Sequence, residues 1–477
     1  MKEVNTRAKA GLMHPMGKGS AATLWQRVTV VHRESCGKVS HKWLSACAAE
    51  RALATGLMEH IIEPSNLMRS YRKVVSNGGS AGVDGMSVKE LKEWLRQNYS
   101  TLKQQLLSGN YKPCAVRKVE IPKPDGGKRI LGIPTVIDRL LQQAIAQVLL
   151  PRYEEVFSKN SFGFRPHKNA HQALEAGGQY VAGGKKYVVD LDLEKFFDEV
   201  NHDRLMWLLS TRIGDKRLLH LIRSYLQSGI MEGGLISQRI KGTPQGSPLS
   251  PLLSNIVLDE LDKELERRNL SYVRYADDVK VFVSSAASAE RVKQKLTSYI
   301  THKLKLKVNE QKSKVCFSQE LHFLGHSILQ DGTLGLSAKS EKRLRQKVKQ
   351  ITRRNRAVNM EQMVDELHVV LKGWLQYFKK ARMRKRMEVI DGWIRRRLRC
   401  VRLKHCKRTI GIVRLLRRLG MQEKRCWLTA LSGKGWWRLG NSPAVNEAMS
   451  KEWFSKQGYY SLSAHYNRYN LIKPPYA

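Results

Sequence analysis

The chain has 477 residues, 42% of them apolar, with 85 Lys and Arg against 42 Asp and Glu, a formal net charge of +43. That length suggests about three domains, and so one-sided a charge concentrates a polyanionic partner, nucleic acid before an anionic membrane. No run of about 18 apolar residues and no basic-then-apolar leader occurs, which excludes a helical membrane span; seven scattered cysteines with no C-x-x-C pair exclude a disulfide framework or zinc ribbon.

The expectation is a soluble intracellular protein with reduced thiols. Residues 1–57 mix Gly, Ser, His and Lys with little periodicity and read as an extension, partly disordered or weakly helical. Helical spacing follows in "NLMRSYRKVV" and "SVKELKEWL", parted by the turn "NGGSAGVDG". In residues 116–135, Val119 and Ile121 precede Pro124-Asp125-Gly126-Gly127 and Ile130 follows, the pattern of a hairpin whose tip carries Lys123, Lys128 and Arg129. Taken alone, that tip reads as a solvated turn guarded by lysines. The helix "DRLLQQAIAQVLLPRYEEVF" comes next.

In "KYVVDLDLEKFF" the period is two, so Val188, Asp190 and Asp192 share one strand face and Val189, Leu191 and Leu193 the other. Two carboxylates on one face of an apolar strand are costly unless a cation meets them. "KGTPQGSPLSPLLSNIVLDELDKELERR" opens as a Gly/Pro loop presenting Gln245. It becomes a helix capped by Ser250, with Pro251 at its first position, running to about Arg268. In "SYVRYADDVKVFV", Asp277 and Asp278 stand at the turn between strands "YVRY" and "VKVFV". Asp is an ordinary turn residue, but a turn does not account for the second acidic strand. Acids from both strands would form an oxygen cage of the sort Mg²⁺ takes. Two such ions about 4 Å apart serve in-line phosphoryl displacement.

"LKLKVNEQKSKV" and "HFLGHSIL" read as short helix and strand elements. From Lys339 to Arg425 there are 29 Lys and Arg against 7 Asp and Glu. Met360, Met363, Val364, Leu367, Leu371, Trp374, Leu375 and Phe378 recur at steps of three and four, an amphipathic helix with a core face. With "SEKRLRQKVKQITRR" and "MEVIDGWIRRRLRC" it makes a small helical bundle whose single-signed exterior suits a phosphate backbone. Trp427, Trp436, Trp437, Trp453 and "YYSLSAHYNRY" close the chain; they suit base stacking or the packing of a small core.

The ordered blocks "IPKPDGGKRILGIPT", "SFGFRPHKNAHQAL", "DLEKFFDEVNH", "GTPQGSPLSPLLSNIVLDELD", "RYADD", "LKLKVNEQKS" and "HFLGHS" closely resemble those of group II intron-encoded reverse transcriptases. "GWLQYF", "WIRRRLR" and "KGWWRLGNSPAVNEAM" resemble that family's maturase region and the segment after it. The resemblance runs from about Met58 to the C-terminus. It implies an α+β right-hand polymerase: fingers within 58–185, a palm with antiparallel sheet over 186–338, a helical thumb over 339–400 and a basic, aromatic C-terminal region over 401–477. It also implies copying of RNA into DNA with two Mg²⁺ ions on Asp192, Asp277 and Asp278, the D-L-x-x-F-F order choosing Asp192 over Asp190. Lys123 and Arg129 match positions that meet the nucleotide triphosphate, Phe196 of the Phe196-Phe197 pair the residue that excludes a 2′-hydroxyl, and Gln245 a residue of the nucleotide pocket.

The implied partners are group II intron RNA, an RNA template with DNA primer, and dNTPs, in the cytoplasm of a bacterial-type cell and at the nucleoid when acting on DNA. Two departures stand out. The family's Q-G-G is Gln245-Gly246-Ser247 here, and no H-N-H endonuclease with cysteine pairs follows Cys426, as in the endonuclease-lacking, group IIC-like members. An intron-free relative serving DNA repair or phage defence, and a splicing factor that keeps the fold without catalysis, are the alternative expectations.

Overall fold

A computed structural model describes residues 55–122, 127–232 and 234–472. The expectations for residues 1–54 and for Lys123 lie outside the described residues. In chain order come α1 (Leu57–Ile62), α2 (Pro64–Asn77), α3 (Leu91–Leu107), β1 (Val116–Pro122), β2 (Lys128–Ile133), α4 (Val136–Glu154), α5 (Ala170–Ala182) and β3 (Tyr187–Asp192). Then follow α6 (Phe196–Glu199), α7 (His202–Ser210), α8 (Lys216–Gln227), β4 (Ile230–Glu232), β5 (Leu235–Ser237), α9 (Ser250–Arg267), β6 (Ser271–Tyr275), β7 (Asp278–Val283), α10 (Ala286–His302), β8 (Lys314–Phe317), β9 (His326–Ile328) and β10 (Leu334–Leu336). The rest is helical: α11 (Ala338–Ile351), α12 (Met360–Phe378), α13 (Arg384–His405), α14 (Thr409–Arg418), α15 (Glu423–Ala430), α16 (Trp436–Leu439), α17 (Pro443–Ala448), α18 (Lys451–Lys456) and α19 (Leu462–Ile472). None of the helices among the described residues is long and apolar enough to cross a membrane.

The chain passes twice through each of two compact units: residues 55–157 with 195–260, and 158–194 with 261–472. The units are therefore not the contiguous segments that a linear reading suggests, because β3 takes its partners from strands some 90 residues further on. The expected start at Met58 also falls inside α1, whose Leu57 is fully buried.

In the first unit, α4 is the central helix, burying Leu140, Leu141, Ala144, Ile145 and Leu149, with α2 packed along it through the Ser70 hydroxyl, which donates to the Leu140 carbonyl at 2.6 Å. A four-stranded sheet in the order β2-β1-β4-β5 lies beside it, and the expected hairpin is realised with Pro122 paired to Lys128. Buried Asp138 roots that hairpin, accepting from Tyr111 Oη (2.9 Å), Cys114 N (3.2 Å) and Thr135 Oγ1 (2.8 Å). Burial pushes its carboxyl up against these hydrogen bonds.

The second unit is built on an antiparallel sheet in the order β6-β7-β3-β8, with a short β9-β10 pair. The expected helix in "LKLKVNEQKSKV" does not form; that stretch is turn and short bridge leading to β8. Helices α11 to α19 share one apolar core running from Leu336 to Tyr466. The boundary expected at 400/401 falls inside α13, so thumb and C-terminal region are one packed body. Met363, Val364, Leu367, Leu371, Leu375 and Phe378 form the buried stripe of α12, as the spacing predicts.

The aromatic tail divides. Tyr459, Tyr460 and Tyr466 are core residues, while Trp437 stays 40% exposed under the Arg396 guanidinium, 3.9 Å from its ring centre. Asp391 on α13 is fully buried and accepts from Tyr459 Oη (2.8 Å), Ser461 Oγ (2.9 Å), Leu462 N (3.0 Å), and Ser463 N and Oγ (2.8 and 2.7 Å). Burial and the Asp391 charge push the Tyr459 phenol up. Removing the carboxylate strands this set of donors, so Asp391→Ala is expected to cost on the order of 3 kcal/mol. It should also free α19 for early cleavage, read by denaturant melts and limited proteolysis.

Candidate active site

The carboxylates come together through strand register in the second unit. β3 and β7 are antiparallel, with Asp192 opposite Asp278 and Asp190 opposite Lys280. Directly paired residues point to the same face, so Asp190, Asp192, Asp278 and Lys280 share one side of the sheet. Asp277 stands in the two-residue turn between β6 and β7, closed by the Tyr275–Asp278 pair. Ala276, its first residue, has φ +58°, as the tight primed hairpin turns require.

Lys280 is the cation that the acidic strand needed. Its side chain is 3% exposed and its ammonium is hydrogen-bonded to both Asp190 and Asp278. Burial pulls the Lys280 ammonium down, but the two carboxylates outweigh it and hold it above its ordinary value. Desolvation pushes the Asp278 carboxyl up, and the like charges of Asp190 and Asp277 add to this while Lys280 opposes it. Asp190 and Asp278 thus share Lys280. Asp192 is 42% exposed, with the Lys312 ammonium 3.7 Å away. Its backbone is fixed by Ser313 Oγ (3.0 Å to its N–H) and by Asn309 N (2.8 Å to its carbonyl).

Among the described residues, no three His, Cys, Asp or Glu side chains already form a closed metal cage. What the register supplies is hard oxygen donors from Asp192 and Asp278 on two adjoining strands, with Asp277 in the turn next to Asp278. That donor chemistry fits Mg²⁺, which uses few carboxylates and keeps open positions.

The turn is braced from behind. Arg274, fully buried on β6, donates Nε to Asp262 Oδ1 (2.8 Å), Nη2 to Asp262 Oδ2 (2.5 Å) and Nη1 to the Ala276 carbonyl (3.0 Å). On the other flank, Phe162 N donates to Arg274 O and Arg274 N to Asn160 O. Gly163 lies so close that a Cβ there would stand 2.2 Å from Ala276 N. The sequence reading missed Lys280, Arg274 and Asp262; a basic residue amid the apolar "YVRY" and "VKVFV" strands was the available signal.

Arg129, Phe196 and Gln245, among the residues expected to handle the nucleotide, lie in the first unit. Arg129 on β2 donates Nε to Gln245 Oε1 at 2.8 Å, and Gly132 N donates to the Gln245 carbonyl at 2.9 Å. The Gln245 loop is thereby joined to the hairpin. It is joined to α6 as well: Thr243 N donates to Phe197 O (2.6 Å) and Gly242 N to Val200 O (2.8 Å). Gly242 has φ +88°, and a Cβ there would meet the Asp198 backbone at 2.8 Å. Phe196 is 2% exposed and packed edge-on against Phe197, while Phe197 is only partly buried. The Phe196 ring is thus a core side chain, whereas Phe197 keeps part of its surface exposed.

The helical part of the second unit carries cations on aromatic supports: Arg345 and Arg397 lie 5.0 and 5.4 Å from the Trp393 ring centre. Stacking fixes these long side chains at the surface.

Residues 121–328 match the family described as reverse transcriptase (RNA-dependent DNA polymerase), and residues 341–420 match the group II intron, maturase-specific domain. Protein YkfC of Escherichia coli (strain K12) is 32% identical over 57% of this chain and 82% of its own length. The group II intron-encoded protein LtrA of Lactococcus lactis subsp. cremoris is 30% identical over 61% of this chain, which spans 59% of that protein. A chain of the solved structure titled "Partial Cas6-RT-Cas1--Cas2 complex" is 27% identical over 52% of this chain and 42% of its own, with a TM-score of 0.34.

Proposed function

Since the chain belongs to the family of group II intron-encoded reverse transcriptases and maturases, we propose that it is an RNA-directed DNA polymerase that also binds intron RNA as a maturase. The observation that carries the reading is the pairing of Asp192 with Asp278, with Asp277 in the adjoining turn, inside the matched reverse-transcriptase region. Asp192, Asp277 and Asp278 would hold Mg²⁺. When bound, such ions stabilise the attacking and leaving oxygens of phosphoryl transfer.

The chain's own groups do the rest. Lys280 keeps Asp278 and Asp190 from repelling one another, and Arg274 holds the turn through the Ala276 carbonyl. The Arg129 guanidinium is a fork suited to a triphosphate oxygen. With Gln245 Oε1 taken by Arg129, the amide nitrogen of Gln245 is left to donate. Phe197, rather than the buried Phe196, is assigned to exclusion of a ribose 2′-hydroxyl. The basic helices, with 29 cations against 7 acids between Lys339 and Arg425, are assigned to the backbone of a template-primer duplex or folded RNA, where base sequence is not read.

The test is primer extension by the full chain with an RNA template, DNA primer, dNTPs and Mg²⁺. Incorporation that stops on chelation supports the reading; RNA binding without incorporation overturns the polymerase assignment. Under the same conditions Phe197→Ala is expected to improve ribonucleotide incorporation relative to deoxyribonucleotide on the order of tenfold, the scale of a steric discrimination in a close pocket. Phe196→Ala should instead destabilise the fold.

A further inference from the structure

The Gln245 loop contains one side chain that the family resemblance leaves without a task. Ser247 stands where the family's pattern has glycine, yet it is 6% exposed and its Oγ donates to Gln142 Oε1 at 2.7 Å. Gln142 is itself 2% exposed, on the central helix α4. The same oxygen accepts from Leu249 N at 3.3 Å. The serine hydroxyl thus donates once and accepts once in a buried place, tying the loop to α4 and to the residue that precedes α9.

The residues before it are tied as closely. The Gln245 carbonyl accepts from Gly132 N at 2.9 Å, and the Pro244 carbonyl accepts from Ser250 Oγ at 2.8 Å. Gly246 has φ +110°, a conformation in which side chains are strained, and a Cβ there would approach Gly132 O to 3.2 Å. Gly246 therefore meets a backbone requirement and brings no side chain to anchor the loop. A glycine at 247 as well would leave two successive residues without a side-chain anchor immediately after Gln245.

We propose that Ser247 is a positioning residue for nucleotide binding: its hydroxyl, locked to Gln142, holds Gln245 in register with Arg129. The inference rests on the polymerase reading of the site. It acts through Gln245, whose Oε1 takes the Arg129 Nε at 2.8 Å.

The experiment is steady-state primer extension on an RNA template by the full chain, with dNTP concentration varied. Ser247→Ala is expected to raise the KM for dNTP about tenfold, the factor that 1.4 kcal/mol represents, with kcat changed less than about twofold. In a Gln245→Ala background the same substitution should add nothing, because the side chain it positions is gone. Ser247→Ala combined with Gln142→Met removes both hydrogen-bonding partners, so it should recover thermal stability while KM stays raised. An unchanged KM in folded Ser247→Ala overturns the inference and leaves the polymerase reading intact. So does recovery of KM together with stability in the double variant, since the hydroxyl would then serve folding alone. Absence of incorporation by the wild type overturns the polymerase reading, and the inference with it.

Discussion

Asp277→Ala and Asp278→Ala are each expected to lower dNTP incorporation on an RNA template by at least about a thousandfold. Metal-held charge stabilisation contributes several kcal/mol, and each 1.36 kcal/mol is tenfold in rate. The two variants should differ in stability. Asp278 shares Lys280 with Asp190, and Lys280 is 3% exposed, so its loss leaves a buried ammonium with one fewer partner and lowers the melting temperature. Asp277 stands in the turn, where its like charge pushes the Asp278 carboxyl up, so its replacement should lower the melting temperature less than that of Asp278. Asp190→Asn is the informative control: it weakens the Lys280 pair while leaving Asp192, Asp277 and Asp278 in place, so incorporation should persist with reduced stability. Equal incorporation by wild type and Asp277→Ala would sink the catalytic assignment.

The second large effect is on the brace behind the turn. Asp262→Ala leaves the fully buried Arg274 guanidinium without its carboxylate and is expected to cost about 3–5 kcal/mol. At about 2–4 °C per kcal/mol for a body of this size, the melting temperature should fall by about 6–20 °C. Replacing the pair by apolar residues of similar volume, Asp262→Leu with Arg274→Met, should restore much of that stability, as buried ion pairs often tolerate such exchange. It should not restore incorporation, because the Ala276 carbonyl loses the Arg274 Nη1 donor at 3.0 Å. Full activity in the stable double variant would show that the turn needs no such hold.

Much of the candidate site was legible along the chain because it depends on local rules. The period of two in "YVVDLD" put Asp190 and Asp192 on one face, and the β6-β7 hairpin around Asp277 and Asp278 formed as the alternation required. The helix opening at Ser250 ends at Arg267, within a residue of its expected end, although the Ser250 hydroxyl donates back to Pro244 O. Helix α12 spans Met360–Phe378, the extent of its apolar stripe. By contrast, the compact units are not successive along the chain. Sheet pairing drew residues 158–194 into the second unit, and a common core fused the helices on both sides of residue 400.

By itself the sequence determined the periodicities, the hairpins, the basic surplus, the acidic positions and the family, since each is a property of residues close together or of composition. Only the tertiary structure showed what each strand acid meets: cross-strand register gave Asp190 to Lys280, 90 residues away, and set Asp192 opposite Asp278. It likewise decided that Phe196 is core and Phe197 is not, and that the Ser247 hydroxyl meets Gln142, 105 residues earlier. Hydrogen bonds and ion pairs reach only a few ångströms, and which distant residues come within that reach is set by how strands pair and helices pack.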